Sequence, residues 1–286
     1  MVASSLPGGR PERMEAGPSH EPGRPAAPNR VAGEAGRPPR KSKPGEGGMK
    51  DDEIGEAIAD ANFFQDFEIA PGAWTGGPQK VMELLPRLWL PAKMDGLHVC
   101  DCGSNDGYFA LECARRGAAE VLAVDHPDWA FANCGVRRKQ GFELTMEAAK
   151  RDGVRGKIRD IEVDLESAKA DEMIPSAHFD IILCMGVLYH CKHPLRLLER
   201  VAGWLKPGGT VTIETHVALQ HLREPAALFY PGAEFAGDAS NFWGPNPACV
   251  LGWLEVAGLA QASMLGIPVD PSGTHARAIF RAVAPP

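Results

Sequence analysis

Between Cys184 and Pro194 the chain reads CMGVLYHCKHP, and an apolar run gives way to Tyr189, His190, Cys191 and His193. Two imidazoles and a thiol at that density invite two kinds of chemistry. A zinc site would need three or four convergent ligands. Side chains one and three residues apart at a helix start point in different directions. No HExxH motif or distant His/Cys pair completes a set, so no metal is expected. The other chemistry is proton transfer: an imidazole, with its ordinary pKa near ~6.5, can take a proton from a nucleophile. A local role, with His190 holding its own loop by a hydrogen bond, fits the same residues.

A second chemical stretch lies upstream. Asp101, Gly103, Ser104, Asn105 and Gly107 fall within VCDCGSNDGYF. Glycine at 103 and 107 permits a tight turn and close backbone approach to a ligand. The D-x-G-x-x-x-G spacing is not the dinucleotide fingerprint, and without a Lys-Ser/Thr pair it is not a triphosphate loop. Asp125 ends VLAVD, about twenty residues past the glycine turn, where an acidic residue can accept both hydroxyl protons of a ribose. An unphosphorylated ribose is implied, because a phosphate would want Arg. A turn or helix-capping role is the competing reading of Asp125.

The elements that must position these residues alternate. Short apolar runs at LHVCDCG, EVLAVDH, KIRDIEVD, FDIILCMG, TVTIETHV and ARAIFRAV read as strands. GYFALECARRG, WAFANCGVRRKQG, PLRLLERVAGWLKPGG (ending at Gly208 and Gly209) and PACVLGWLEVAGL read as helices. Upstream, DDEIGEAIADANFF and PQKVMELLPRLWL read as two further helices, the latter with Pro78 near its start. Alternation implies parallel pairing by right-handed crossovers, and near-continuous apolar strands imply a sheet covered on both faces. The expected fold is α/β, a doubly wound, mostly parallel Rossmann-like sheet. Ligands of such sheets bind at the carboxyl ends of the strands.

HVCDCGSNDGYFAL, VLAVDH, FDIILCMGVLYH and LKPGGTVTIET together resemble the class I S-adenosylmethionine (SAM) dependent methyltransferases, over about residues 97–217. Within that superfamily MGVLYHCKHPLRLL is similar to the corresponding stretch of the bacterial wobble-uridine tRNA carboxymethyltransferases, as is NFWGPNPACVLGWLEVAGL to their later half. The resemblance implies SAM as cofactor. Asp101, Gly103, Ser104 and Gly107 would lie beside its methionine part, with Asn105 in the same loop. Asp125 would hold the ribose, with His126 next to it, and Asp164 with Leu165 would border the adenine. Met185 and Tyr189 would floor the pocket, with Tyr189 and His190 facing the chemistry and Cys191 and His193 starting a helix.

Further candidates are Glu214 and His216 at the end of TVTIETHV; Glu214 is a possible base and His216 a substrate contact. Trp74 and Thr75, in PGAWTGG, could close over a sulfonium, which favours an aromatic face, or simply pack. Tyr230, Asn241, Phe242 and Trp243 belong to a Gly- and Pro-rich insertion over about 218–247, the sort of loop that carries specificity. That region, YPGAEFAGDASNFWGPNP, lacks the Arg-rich character of the tRNA group. A small-molecule substrate is therefore favoured, with tRNA the alternative partner. Two other functions fit the same motifs: a SAM-consuming cyclisation that releases methylthioadenosine, and a non-catalytic nucleotide-binding protein.

Bulk properties agree. The chain has 286 residues, 44% hydrophobic and 23% charged, with a net charge of -7. That charge does not favour nucleic acid, and no run is long and apolar enough for a membrane span. Seven cysteines without a CxxC pair suggest a reduced, cytoplasmic chain. Residues 1–48 are rich in Gly, Pro, Ala and Arg and cannot bury enough surface to fold. A start at Met49 is compatible with that change of composition. The expected organisation is a tail over 1–48, a helical lid over 49–96 and a SAM-binding catalytic domain over 97–286.

Overall fold

A computed structural model describes residues 48–129, 139–266 and 276–286. The tail reading for 1–48 thus falls almost wholly outside the described residues. In chain order, α1 (Asp51–Asp60) leads into a two-stranded ribbon, β1 (Glu68–Ala70) and β2 (Ala73–Trp74), and one helical turn, α2 (Val81–Leu84). Then follow β3 (His98–Cys102), α3 (Tyr108–Arg115), β4 (Glu120–Asp125), α4 (Gln140–Arg151), β5 (Ile158–Glu162), α5 (Ala168–Met173) and β6 (Phe179–Met185). The chain continues through α6 (Pro194–Trp204), β7 (Leu205–Val217), β8 (Ala227–Phe229), β9 (Trp243–Pro245), α7 (Pro247–Val256), β10 (Ala260–Gly266) and β11 (Ala276–Val283).

Seven strands form one sheet in the order β10-β11-β7-β6-β3-β4-β5. The five from β7 to β5 are parallel; β11 runs antiparallel to β7, and β10 antiparallel to β11. This is the doubly wound, mostly parallel sheet expected. Alternate strand residues serve opposite layers. Cys100, Cys102, Leu122, Val124 and Ile182 pack with α5, α6 and α7. Val99, Val121, Ala123, Ile181 and Leu183 pack with α1, α3 and α4. Strand order reverses at β3 and β6, so the crevice lies above the carboxyl ends of that pair. No helix among the described residues is long and apolar enough to cross a membrane.

Some elements differ from expectation, and one expected helix falls mostly outside the described residues. The helix after β6 stops at Trp204 instead of running to Gly208, and Leu205 is already extended. Pro207 cannot donate the amide a continuing helix needs and disfavours helical Lys206 before it. Similarly, the second helix shrinks to α2 and a 3₁₀ turn over Leu85–Arg87, with Pro86 inside that turn. The 49–96 segment is accordingly a mixture of helix and ribbon. The helix after β4 is α4, beginning at Gln140; the expected WAFANCGVRRKQG helix lies mostly outside the described residues. The edge strand β10 is exposed along most of its length, so it carries no burial alternation to read.

Candidate functional site

The turn from β3 into α3 is held from several sides. Gly103 has φ +72°, and a Cβ there would lie 2.3 Å from Val187 Cγ2. Asn105 also takes a left-handed φ of 50°. Its amide donates to Asp125 Oδ2 at 2.7 Å, while the His126 amide donates to Asp125 Oδ1 at 2.7 Å. Asp125 thus ties the β3 and β4 loops together, and each oxygen keeps a second lone pair. Asp101, fully buried, accepts from the Ser104 hydroxyl at 2.8 Å, and its Oδ1 has no partner. Burial, with the Asp125 charge adding to it, pushes the Asp101 carboxyl up to about 7. Burial likewise raises Asp125 to about 6, against the two amide hydrogen bonds.

Two adjoining cavities open over this turn, and Gly103, Val187 and His190 belong to both walls. The larger, about 510 Å³, is bordered by Asp125, His126, Val163, Asp164 and Leu165. The smaller, about 330 Å³, is bordered by Asn105, Met185, Tyr189, Asn241 and Arg277. Of the residues expected at the cofactor, Gly103, Asn105, Asp125, His126, Asp164, Leu165, Met185 and Tyr189 reach these walls. Asp101, Ser104 and Gly107 are not among the lining residues. Asp101 and Ser104 are fully buried, and Gly107 backs onto Phe142, whose Cδ2 would lie 2.8 Å from an added Cβ.

His190 sits where the cavities meet. Its Nδ1 lies 3.0 Å from the Ser240 carbonyl and 3.2 Å from Ser240 Oγ. The Ser240 hydroxyl proton is directed to Asp238 Oδ1 at 2.7 Å. Both serine oxygens are therefore acceptors toward the ring, which places the imidazole proton on Nδ1 and the lone pair on Nε2. Burial lowers the His190 pKa, partly countered by the Ser240 hydrogen bond. Cys191 and His193 belong to the wall of the larger cavity; the Cys191 thiol approaches the Val187 carbonyl at 3.5 Å, and His193 is the N-cap residue of α6 without a side-chain capping hydrogen bond. The amides of Lys192 and His193 donate to the Glu166 carboxylate at 2.9 and 2.6 Å.

Glu214, also expected to be catalytic, is buried in a two-pronged pair with Arg277 of β11. Arg277 also donates to the Tyr189 hydroxyl at 3.1 Å. Burial alone would lower the guanidinium pKa; the Glu214 carboxylate more than reverses this and raises it. Sequence reading missed Arg277 because its partner strand pairs antiparallel across the sheet, far from Glu214 in the chain.

The expected substrate residues divide. Asn241 lines the smaller cavity; its Nδ2 donates to the Phe235 carbonyl at 3.0 Å and its buried Oδ1 has no partner. His216 does not reach the lining: it is fully buried, stacked on Phe235 at 3.8 Å and 3.3 Å from the Tyr230 hydroxyl. Tyr230 packs against both of those rings, and Trp243 packs on Phe229 outside the cavity. Trp74 is 52% exposed on the ribbon and does not close over the site. Thr75 is a latch for that ribbon, donating to the Gln65 carbonyl at 2.7 Å. The N-terminal segment meets the cavity through Phe64, Gln65 and Gln79 instead. Asp106 fixes them there, accepting from the Phe64 and Gln65 amides, each at 2.7 Å. The insertion contributes Phe235 to Asp238 as well as Asn241, a stretch that only its length and Gly content had marked.

A family model described as a methyltransferase domain matches residues 74–259. The tRNA U34 carboxymethyltransferase of Psychrobacter sp. (strain PRwf-1) is 28% identical over 179 residues, 62% of this chain and 49% of that protein. The enzyme of the same name from Desulfotalea psychrophila (strain LSv54 / DSM 12343) is 26% identical over 171 residues, 60% and 48% of the two chains. The chain thus spans about half the length of these curated relatives. In fold it resembles the N-terminal domain of EvdMO1 solved with SAH and D-fucose, with a TM-score of 0.58 and 17% identity over 85% of this chain and 100% of that one. The [4+2]-cyclase SpnF superposes with a TM-score of 0.53 and 16% identity over 84% and 98%.

Proposed function

The chain belongs to the class I SAM-dependent methyltransferases, and on that premise we propose that it methylates a small organic molecule at an oxygen or nitrogen that must lose a proton. The residues present suit the cofactor. A glycine cradle that a Cβ would fill, a carboxylate with spare lone pairs at the end of β4, and an apolar Val163–Leu165 wall answer to a loop-bound amino acid, a ribose diol and an adenine ring. Asp125 would accept from the ribose hydroxyls, and Met185 and Tyr189 would border the methionine end. SAM supplies an electrophilic methyl group, so the protein's task is alignment in a dry site, plus deprotonation where the acceptor needs it.

The observation that carries this reading is the Asp238–Ser240–His190 chain. It favours a neutral imidazole protonated on Nδ1 in a side chain that lines both cavities. Such a group accepts a proton from a hydroxyl as the oxygen–carbon bond forms, or from an ammonium before the freed amine attacks. The insertion that supplies Asp238 and Ser240 also narrows the smaller cavity with Phe235 and Asn241. Its charges over residues 218–247 are one Arg against two Glu and one Asp, a poor match to phosphate. Arg277 lines the same cavity but is neutralised by Glu214, which does not favour an anionic transferred group.

The curated relatives support a second reading, a tRNA wobble uridine as acceptor. Incubation with labelled SAM separates the possibilities. Label passing to small molecules of a cell extract, and not to tRNA, supports the proposal. Label in tRNA supports the second reading. Methylthioadenosine formed from SAM alone would replace both with a cyclisation.

A further inference from the structure

At the amino ends of the strands, opposite the cavities, three side chains converge that play no part in the cofactor site. His98 opens β3, Glu120 opens β4 and His178 immediately precedes β6. β3 lies between β4 and β6, and His98 pairs in register with Glu120. The parallel strands therefore bring all three starts to one place. His98 Nδ1 and His178 Nε2 are 3.1 Å apart, His178 Nε2 and Glu120 Oε2 are 3.0 Å apart, and His98 Nδ1 and Glu120 Oε2 are 3.9 Å apart.

We propose that His98, Glu120 and His178 form a binding site for a divalent transition metal of the zinc class. Metal bonds of 2.0–2.1 Å in a tetrahedron set ligand atoms about 3.3 Å apart; the three separations bracket that value. Two imidazoles and one carboxylate suit zinc, cobalt or nickel and not magnesium or calcium. With the proton of each imidazole on its other ring nitrogen, the same three atoms offer lone pairs to one point. The backbone under both rings is held: the His98 amide donates to Asp180 Oδ2 at 2.8 Å, and the His178 amide to the Trp204 carbonyl at 2.9 Å. The side chains are about one-third exposed, which leaves room for an ion to enter and for water as fourth ligand. A cation, Arg159 Nε, lies 3.7 Å from the other carboxylate oxygen, Oε1. A bound ion would tie β4, β3 and β6 together beneath the cofactor site without entering it.

The test uses the full chain, stripped with a chelator and titrated with Zn²⁺ by calorimetry and with Co²⁺ by visible absorption. Expected are saturable, equimolar binding and the intense visible bands of four-coordinate Co²⁺. His98→Ala and His178→Ala should each weaken binding at least about tenfold, and His221→Ala, an exposed histidine elsewhere, should not. Retained binding of S-adenosylhomocysteine by the variants shows that they are folded. Absence of saturable binding, or equal binding by wild type and both ligand variants, overturns the site.

Discussion

Arg277 grips Glu214 with two guanidinium nitrogens, Nη2 lying 2.6 Å from Oε2. The pair joins the antiparallel β11 to the last parallel strand, β7, directly at the smaller cavity. Glu214 is almost wholly buried while Arg277 is one-third exposed, so solvent screens only one partner. Removing the acid leaves a cation against the cavity wall without its counter-charge. Glu214→Gln should therefore cost about 2 kcal/mol of stability. Glu214→Gln combined with Arg277→Gln should cost less than the sum of the single changes. Urea denaturation of the four proteins measures the coupling; strictly additive losses would remove the pair from the account.

Gly103 faces two separate constraints, its φ of +72° and the 2.3 Å approach of Val187 Cγ2 to any added Cβ. Gly103→Ala should destabilise the turn by about 1–3 kcal/mol and abolish cofactor binding. Adding Val187→Ala removes the clash but not the backbone strain. The double variant should thus recover part of the stability. Full recovery in calorimetry with S-adenosylhomocysteine would show that the clash alone matters.

Burial sets the pH response of the glycine turn. Asp101 at about 7 and Asp125 at about 6 bind protons more tightly in the folded chain than the ordinary carboxylate near ~3.9 does when unfolded. Their contribution to stability is complete below about pH 4 and is lost as pH rises toward 7. Asp101→Asn should flatten that decline in the cofactor-free protein, since Ser104 can still donate to the amide oxygen. Urea midpoints at pH 5 and pH 7.5 should differ less for the variant than for the wild type. An unchanged difference would mean that Asp101 ionises normally.

The parallel core was legible because its strands are apolar on both faces; the turn after the first strand and the ends of the second and fourth pointed to Gly103, Asp125 and Tyr189, and the family resemblance to Asp164, all of which line the two cavities. Arg277 was not legible, since nothing local to ARAIFRAV marks which residue meets β7. Trp74 and His216 misled for a common reason. Residue type suggested contact with a ligand, but a two-residue strand and a fully buried stack decided where each ring points. Asp106 went unnoticed beside Asp101 because its partners lie forty residues earlier in a segment with no periodicity.

His190 should hold its proton on Nδ1. Side-chain nitrogen NMR of the neutral protein reads the tautomer directly, and no acceptor molecule is needed. Ser240→Ala removes the hydroxyl that also faces the ring, and Asp238→Asn loosens that serine. Asp238→Asn lets the serine proton turn to Nδ1 and should shift His190 toward Nε2–H, whereas Ser240→Ala keeps the carbonyl acceptor and should keep Nδ1–H. Because burial depresses the His190 pKa, the acid limb of any methyl-transfer profile should fall below the ordinary ~6.5. An Nε2–H signal in the wild type would rule out the proposed base.

Asp106 fastens the N-terminal segment to the site. One carboxylate oxygen, Oδ2, takes both the Phe64 and Gln65 amides, and Gln65 Oε1 in turn accepts from the Tyr108 amide at the start of α3. Gly141 crowds the other oxygen so closely that a Cβ would lie 2.3 Å from it, which leaves no slack for a larger neighbour. Asp106→Ala strands two amides in a largely buried place, at a cost of about 2–3 kcal/mol. The loss should be local first: amide exchange and proteolysis should accelerate over residues 61–80 before the sheet responds. Phe64, Gln65 and Gln79 form one wall of the smaller cavity, so loosening them should weaken S-adenosylhomocysteine binding by about tenfold, or 1.4 kcal/mol. Asp106→Asn keeps an acceptor oxygen and should lie between the two. If Asp106→Ala speeds exchange but leaves affinity intact, the segment is a support for α3 and not part of the binding wall.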